Sequence, residues 1–347
     1  MHTDRQRQSE SASQAVLTRV AERTRRFNFG VWFWGDAIAF DGLIDAADLL
    51  DEPTLAEFCV SYFDRWHKRP PAWTDYLTPG LALARLVQCG ADTLLPSMRR
   101  LLDCYLFETP RGETGLHYFR PDMPQFRTTV LVDSLYHVPP FIAACAEPFR
   151  DPSLYREAIV MWNEHAKVLS LPGKPLLCHN YDHGSGRRRG YGWGRGNGWA
   201  LLGLIDLIEL LPSAAEDRDS VVEEFCRLSS AVLAEQDASG FWRTLLDDRE
   251  SYLETSTAGF FGAVFTKGAR LGLLHAEYAD AAELAWRALL TRIDQDGGVF
   301  GTSAATWAAN APVEELALYK AASTEVNVWG QGAALRFASE RLRAGIH

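Results

Sequence analysis

None of the six cysteines, Cys59, Cys89, Cys104, Cys145, Cys178 and Cys226, belongs to a CxxC pair, and their spacing matches no metal-ligand pattern. Most fall in apolar, helix-like stretches, so buried and reduced thiols are expected. No run of about 18 apolar residues occurs, which argues against a membrane-spanning helix. The polar start MHTDRQRQSESASQ lacks the apolar core of a secretory signal. A cytoplasmic location is expected from these absences. Basic residues are outnumbered, 35 Lys and Arg against 45 Asp and Glu, and the net charge of −10 speaks against nucleic acid as a partner. Strand-like alternation is rare and short. No Pro/Gly/Ser-rich linker divides the chain, so one domain over 15–347 is expected behind a disordered tail, 1–14.

What is abundant is apolar and aromatic. Hydrophobic residues make up 47% of the 347, enough for a sizeable core, with 11 Trp and 11 Tyr. Aromatic faces pack well on the C–H faces of sugars, and they equally well fill a large helical core. Apolar residues recur at three and four over 54–67, 80–90, 93–107, 153–169, 199–211, 219–236, 258–271, 278–293 and 328–343. Short connectors carrying glycine, aromatics or histidine begin near residues 116, 177, 240 and 298, a period of roughly 60 residues, or one helix–turn–helix unit. Six units need about 360 residues, so the expected class is all-α, an (α/α)6 barrel of six helical hairpins. An open α-solenoid is the alternative. The Trp, His and Arg in the connectors favour one shared mouth.

Four segments could carry chemistry. Asp133 in FRTTVLVDSLYHVPPF has largely apolar neighbours. Such surroundings raise a carboxyl pKa and suit a general acid, although Asp is also a favoured N-cap for the helix that follows. WGRGNGW (193–199) joins Trp193 and Trp199, which offer stacking faces, to Arg195, a bidentate clamp for a carboxylate. Its glycines allow close backbone approach to a ligand, or simply tight helix packing. LLCHNYDHGSGRRRGYG holds His179 and His183 four apart; the stretch is glycine-rich, so helical metal-ligand geometry is not expected, and a histidine that contacts sugar is the preferred reading. Arg187 to Arg189 could draw an anionic substrate or line a solvated loop. Asp75 in AWTDYLTPG is a turn residue or a second carboxylate.

Taken together, TDYLTPG, VLVDSLYHVPPF, LLCHNYDH, WGRGNGW, SGFWRTLLDD and YLETSTAGFF resemble the unsaturated glucuronyl and rhamnogalacturonyl hydrolases, glycoside hydrolase families 88 and 105, and more closely the latter. The resemblance runs from about residue 28 to 340. It implies an (α/α)6 barrel, no metal and no cofactor. It implies an unsaturated oligosaccharide substrate, released by a polysaccharide lyase, whose terminal 4,5-unsaturated uronic acid is removed by hydration of the vinyl ether. By match of motif, Asp133 falls on the proton donor and Asp75 on the second carboxylate. His179, Trp193, Arg195 and Trp199 fall on substrate-contact positions. Two departures bear on the leaving sugar: many relatives carry a His where this chain has Asp122, with His117 earlier, and TEVNVWGQG differs from the usual form. The alternatives are another (α/α)6 sugar enzyme, either a 2-epimerase-like isomerase or a conventional glycosidase, and a non-catalytic sugar-binding protein.

Overall fold

The computed structural model describes residues 2–30, 34–67, 77–112, 115–306 and 315–346. Along the chain lie α1 (His2–Thr24), α2 (Ala37–Leu49), α3 (Pro53–His67), α4 (Gly80–Gln88) and α5 (Leu95–Asp103). Next come strand β1 (Thr129–Leu131), the short helices α6 (Ser134–His137), α7 (Pro139–Ala144) and α8 (Ala146–Phe149), and the long α9 (Ser153–Leu169). Strands β2 (Cys178–Asp182) and β3 (Arg187–Tyr191) lead to α10 (Gly194–Leu210) and α11 (Arg218–Leu233). Strands β4 (Trp242–Arg243) and β5 (Leu253–Glu254) lead to α12 (Thr255–Arg270) and α13 (Ala276–Leu290). Finally, β6 (Thr302–Ser303), α14 (Glu315–Ala321) and β7 (Thr324–Glu325) precede α15 (Val328–Arg343).

Two kinds of helix alternate. On α9, the buried residues Leu154, Ala158, Ile159, Met161, Trp162, His165, Ala166 and Leu169 form one stripe, as an outer helix requires. On α10, α12 and α15 nearly every residue is buried, so these helices are enclosed on all sides. The enclosed helices close a ring: α2 packs on α4, α4 on α7, α6 and α7 on α10, α10 on α12, α12 on α15, and α15 back on α2. Against them lie α1, α3, α5, α9, α11 and α13. This is the (α/α)6 barrel expected from the period of about 60 residues.

One end of the ring is the mouth. The antiparallel sheet β1-β2-β3 and the two-stranded pairs β4-β5 and β6-β7 lie there, each directly ahead of an inner helix. The inner helices therefore present their N-termini to the mouth, a partial positive charge that favours anions. Their C-terminal halves meet at the far end in a buried ion network. Arg336 Nη2 donates to Asp206 Oδ1 at 2.7 Å, Arg343 Nη2 donates to Asp45 Oδ1 at 2.7 Å, and Lys267 Nζ donates to Asp206 Oδ1 at 2.5 Å. Arg85 bonds Asp45 as well. Cations in last turns suit the negative ends of the helices. Arg85, Arg336 and Arg343 outweigh desolvation at Asp45 and hold its carboxyl far below the usual carboxylate range. Tyr136 links the two ends: it sits three residues after Asp133, and its hydroxyl donates to Asp41 Oδ2 at 2.6 Å.

Helix α1 spans His2–Thr24, and its Val16, Leu17, Val20 and Ala21 are buried. One expectation needs correction. Of the six thiols, all free, Cys89, just past the end of α4, is exposed, and Cys226, on the outer helix α11, is half-buried. Among the described residues, no helix is long and apolar enough to cross a membrane.

Candidate active site

At the mouth a cavity opens. Trp34, Leu77, Phe119, Phe126 and Leu131 give it apolar walls, Ala305 and Thr306 close one side, and Asp133, His179 and Trp193 supply the polar groups.

Asp133 follows β1 directly and occupies the N-cap position of α6, yet its side chain makes no capping hydrogen bond. Asp133 is 4% exposed, and Oδ2 has no hydrogen-bond partner among the described residues. Burial pushes its pKa up to about 6, against the attraction of the Arg195 guanidinium, which lowers it. A capping carboxylate would instead be held down by the amides it accepts. The capping hydrogen bond that the sequence allowed is not made, and burial favours the protonated carboxyl in mildly acidic conditions.

His179 stands on β2, which pairs with β1 through Val130↔Tyr181 and Leu131↔Asn180. The Val132 amide donates to the His179 carbonyl at 2.9 Å, so the segment before Asp133 is laced to His179. His179 Nε2 lies 3.7 Å from Asp133 Oδ2. Burial and Arg195 depress the imidazole pKa to about 3, so the ring is neutral near pH 7 and the two side chains do not form an ion pair. Trp193 packs against the imidazole, with ring centroids 4.0 Å apart and the planes tilted by 33°.

WGRGNGW is not a loop. Its glycines form the first turns of α10, and they seat that helix against protein rather than ligand. A Cβ on Gly194 would lie 2.6 Å from the Arg243 carbonyl oxygen, and one on Gly196 would lie 2.4 Å from the Trp193 ring. Asn197 accepts from the Leu177 amide and donates to the Leu177 and Trp193 carbonyls, pinning the β2 hairpin to α10.

Arg195 does not present a free fork to the cavity, as the clamp reading requires. It is 1% exposed; Nη1 donates to the Ser303 carbonyl at 3.0 Å and to the Ser303 hydroxyl, and Nη2 donates to the Ala304 carbonyl at 3.0 Å. Glu254 Oε1 lies 3.9 Å away and accepts from the Ser303 amide. The guanidinium is sandwiched between Trp193 and Trp329. Trp199 is also withdrawn from the cavity: fully buried, it packs against Trp34, Tyr136, His137 and Phe260. Both side chains form the layer beneath the lining.

Asp75 lies outside the described residues. Close after it, the Thr78 carbonyl accepts from His137 Nδ1 at 3.3 Å and Leu77 lines the cavity. Asp122 forms a bidentate pair with Arg120, at 2.7 and 2.6 Å, between the lining residues Phe119 and Phe126. His117 is buried away from the lining, beside His165. Among the described residues, no three His, Cys, Asp or Glu side chains group as a metal-ligand set. The sequence reading passed over Trp34, Phe119 and Phe126, which line the cavity, and Tyr319 behind it. The run VWFWGD offered one signal for Trp34.

Comparison with known proteins gives this arrangement its context. The chain is 27% identical over 341 residues to an unsaturated rhamnogalacturonyl hydrolase of Bacillus subtilis, covering 95% of this chain and 94% of that protein. Its fold matches that of a possible member of family GH105 from Salmonella enterica, with TM-score 0.84 and 22% identity over 96% of this chain and 94% of that one. It also matches that of an unsaturated glucuronyl hydrolase from Bacillus sp. GL1, with TM-score 0.72 and 17% identity over 95% and 96% of the two chains. The model of Glycosyl Hydrolase Family 88 matches residues 9–345, and the chain belongs to that family of glycoside hydrolases.

Proposed function

We propose that this enzyme removes a 4,5-unsaturated uronic acid from the non-reducing end of lyase-generated oligosaccharides. It does so by hydrating the C4=C5 vinyl ether, with Asp133 as the proton donor. The observation that carries the reading is a buried, uncapped carboxyl on the wall of an apolar cavity, its pKa pushed up to about 6. Protonating carbon needs such an acid. The activities named for the relatives support the substrate class.

In this mechanism the Asp133 proton moves to C4, and positive charge develops at C5 and the ring oxygen. Water adds at C5 and gives its proton back to the Asp133 carboxylate. The hemiketal then opens and releases the remaining sugar. His179 and Trp193 contact the unsaturated ring at the cavity wall. Asp75 acts as the second carboxylate; it precedes the lining residue Leu77 by two positions in the sequence. Arg195 is a positioning residue: it holds the 303–306 wall by its carbonyls and limits the rise of the Asp133 pKa. Trp199 backs Trp34. The work is done by one catalytic domain, 15–347, in the cytoplasm.

The test is turnover in D2O. Lyase-generated oligosaccharides should lose their ultraviolet alkene absorbance, and the released uronate product should carry one deuterium at C4. Turnover of saturated glycosides instead, with no deuterium on carbon, would point to a conventional glycosidase.

A further inference from the structure

Tyr319 lies 140 residues beyond His179, yet its hydroxyl sits 2.6 Å from His179 Nδ1. Tyr319 belongs to α14, which packs on β3, and it is fully buried. Gly190 on β3 makes the approach possible. Its φ is +63°, and a Cβ there would lie 2.1 Å from the Tyr319 hydroxyl and 2.7 Å from His179 Cβ. Among the described residues, the titratable and charged groups facing the imidazole are Tyr319 from α14, Asp133 behind β1, and Arg195 from α10. Arg189 and Tyr191 of β3 pair with Asn180 and Cys178 of β2.

A neutral imidazole carries one proton on one of its two nitrogens, and the partner of the first decides the second. With the proton on Nε2, His179 offers Asp133 a donor 3.7 Å from Oδ2, an oxygen without a hydrogen-bond partner among the described residues. That donor strengthens as Asp133 becomes a carboxylate, so it favours proton release. With the proton on Nδ1, a bare Nε2 lone pair would face the carboxyl. It would accept the acid's proton, turn it away from the substrate, and repel the carboxylate once formed.

We infer that Tyr319 is a positioning residue for the hydration proposed above. Its hydroxyl donates to His179 Nδ1 and so fixes the imidazole proton on Nε2, facing Asp133. The inference rests on that functional reading, and nothing in the motifs quoted for the family singles Tyr319 out.

The test is Tyr319→Phe, which keeps the ring and deletes the donor. The expected result is a kcat about tenfold lower, the loss of one oriented hydrogen bond in the transition state, with KM within about twofold of wild type. The high-pH limb of the kcat profile should move upward, because the Asp133 carboxylate loses a stabilising donor. Nitrogen NMR of 15N-histidine-labelled protein, with His179 assigned by its loss in His179→Gln, should show Nε2 protonated in wild type and a tautomer mixture in Tyr319→Phe. A wild-type signal with the proton on Nδ1 overturns the proposal while leaving the hydration reading intact. So does a Tyr319→Phe variant with wild-type kcat, or one that is slower with an unmoved limb, the mark of a merely structural role. If the wild-type protein hydrates no unsaturated uronide, the functional reading fails and the role of Tyr319 falls with it; the NMR result then describes only a hydrogen bond. Gly190→Ala should reproduce the same changes in tautomer and limb, since its Cβ displaces the Tyr319 hydroxyl.

Discussion

Asp133 Oδ2 lies 3.7 Å from His179 Nε2, and among the described residues no group hydrogen-bonds that carboxyl oxygen. One partner is an acid whose pKa burial raises to about 6, the other an imidazole held neutral by a pKa of about 3. The pair thus holds one acidic proton, on Asp133, between about pH 3 and pH 6.

The pH profile should follow from it. Asp133 must be protonated to donate, so kcat/KM should fall as the pH rises through about 6. Neutral His179 should add no second limb above about pH 4. Initial rates on lyase products from pH 4 to 9 check this; a profile that is flat to pH 8 would exclude Asp133 as the acid.

The same burial costs stability. A carboxyl with a raised folded-state value contributes fully below its unfolded value, near 4, and its contribution is lost as the pH rises through about 6. A rise from 3.8 to about 6 corresponds to about 3 kcal/mol above that window. Asp133→Asn should therefore raise the melting temperature at pH 7 and leave it unchanged near pH 3.5. Calorimetry at both values reads the difference.

Arg195 should act through the wall rather than through the substrate carboxylate. Arg195→Ala leaves Glu254 buried without its nearest cation, a loss of about 3–5 kcal/mol of stability. Its kcat/KM should fall by the same factor on the free uronate and on its methyl ester. A fall confined to the free uronate would restore the clamp.

The far-end network should matter for stability alone. Arg336→Met strips a partner from both Asp45 and Asp206 and should cost about 3–5 kcal/mol in denaturant titrations. The kcat and KM of the protein that remains folded should stay at wild-type values.

What the sequence disclosed was periodic. The stripes at 153–169 and 328–343 coincide with α9 and α15, and the connector period anticipated the ring. The inner helix α2 was invisible to that reading. Its Asp41 and Asp45 look like a solvent face, and it takes Arg85, Arg336, Arg343 and the Tyr136 hydroxyl, from distant parts of the chain, to make burying them feasible. Gly194 and Gly196 read as loop because glycine is a poor helix former; the close approaches of Arg243 and Trp193 override that propensity. Asp133 could be singled out from its apolar neighbours, but its freedom from a capping bond could not. Tyr319 meets His179 only through the fold, so no local pattern pointed to it.

The most direct measurement is the turnover of Asp133→Asn on lyase-generated oligosaccharides, followed by loss of the alkene absorbance. The amide keeps the shape of the carboxyl and cannot donate the proton. The predicted result is a folded protein with kcat lowered roughly 100- to 10,000-fold and KM little changed. A folded Asp133→Asn protein that retains more than about half of the wild-type kcat, where a lost general acid should cost at least about 100-fold, would contradict the account.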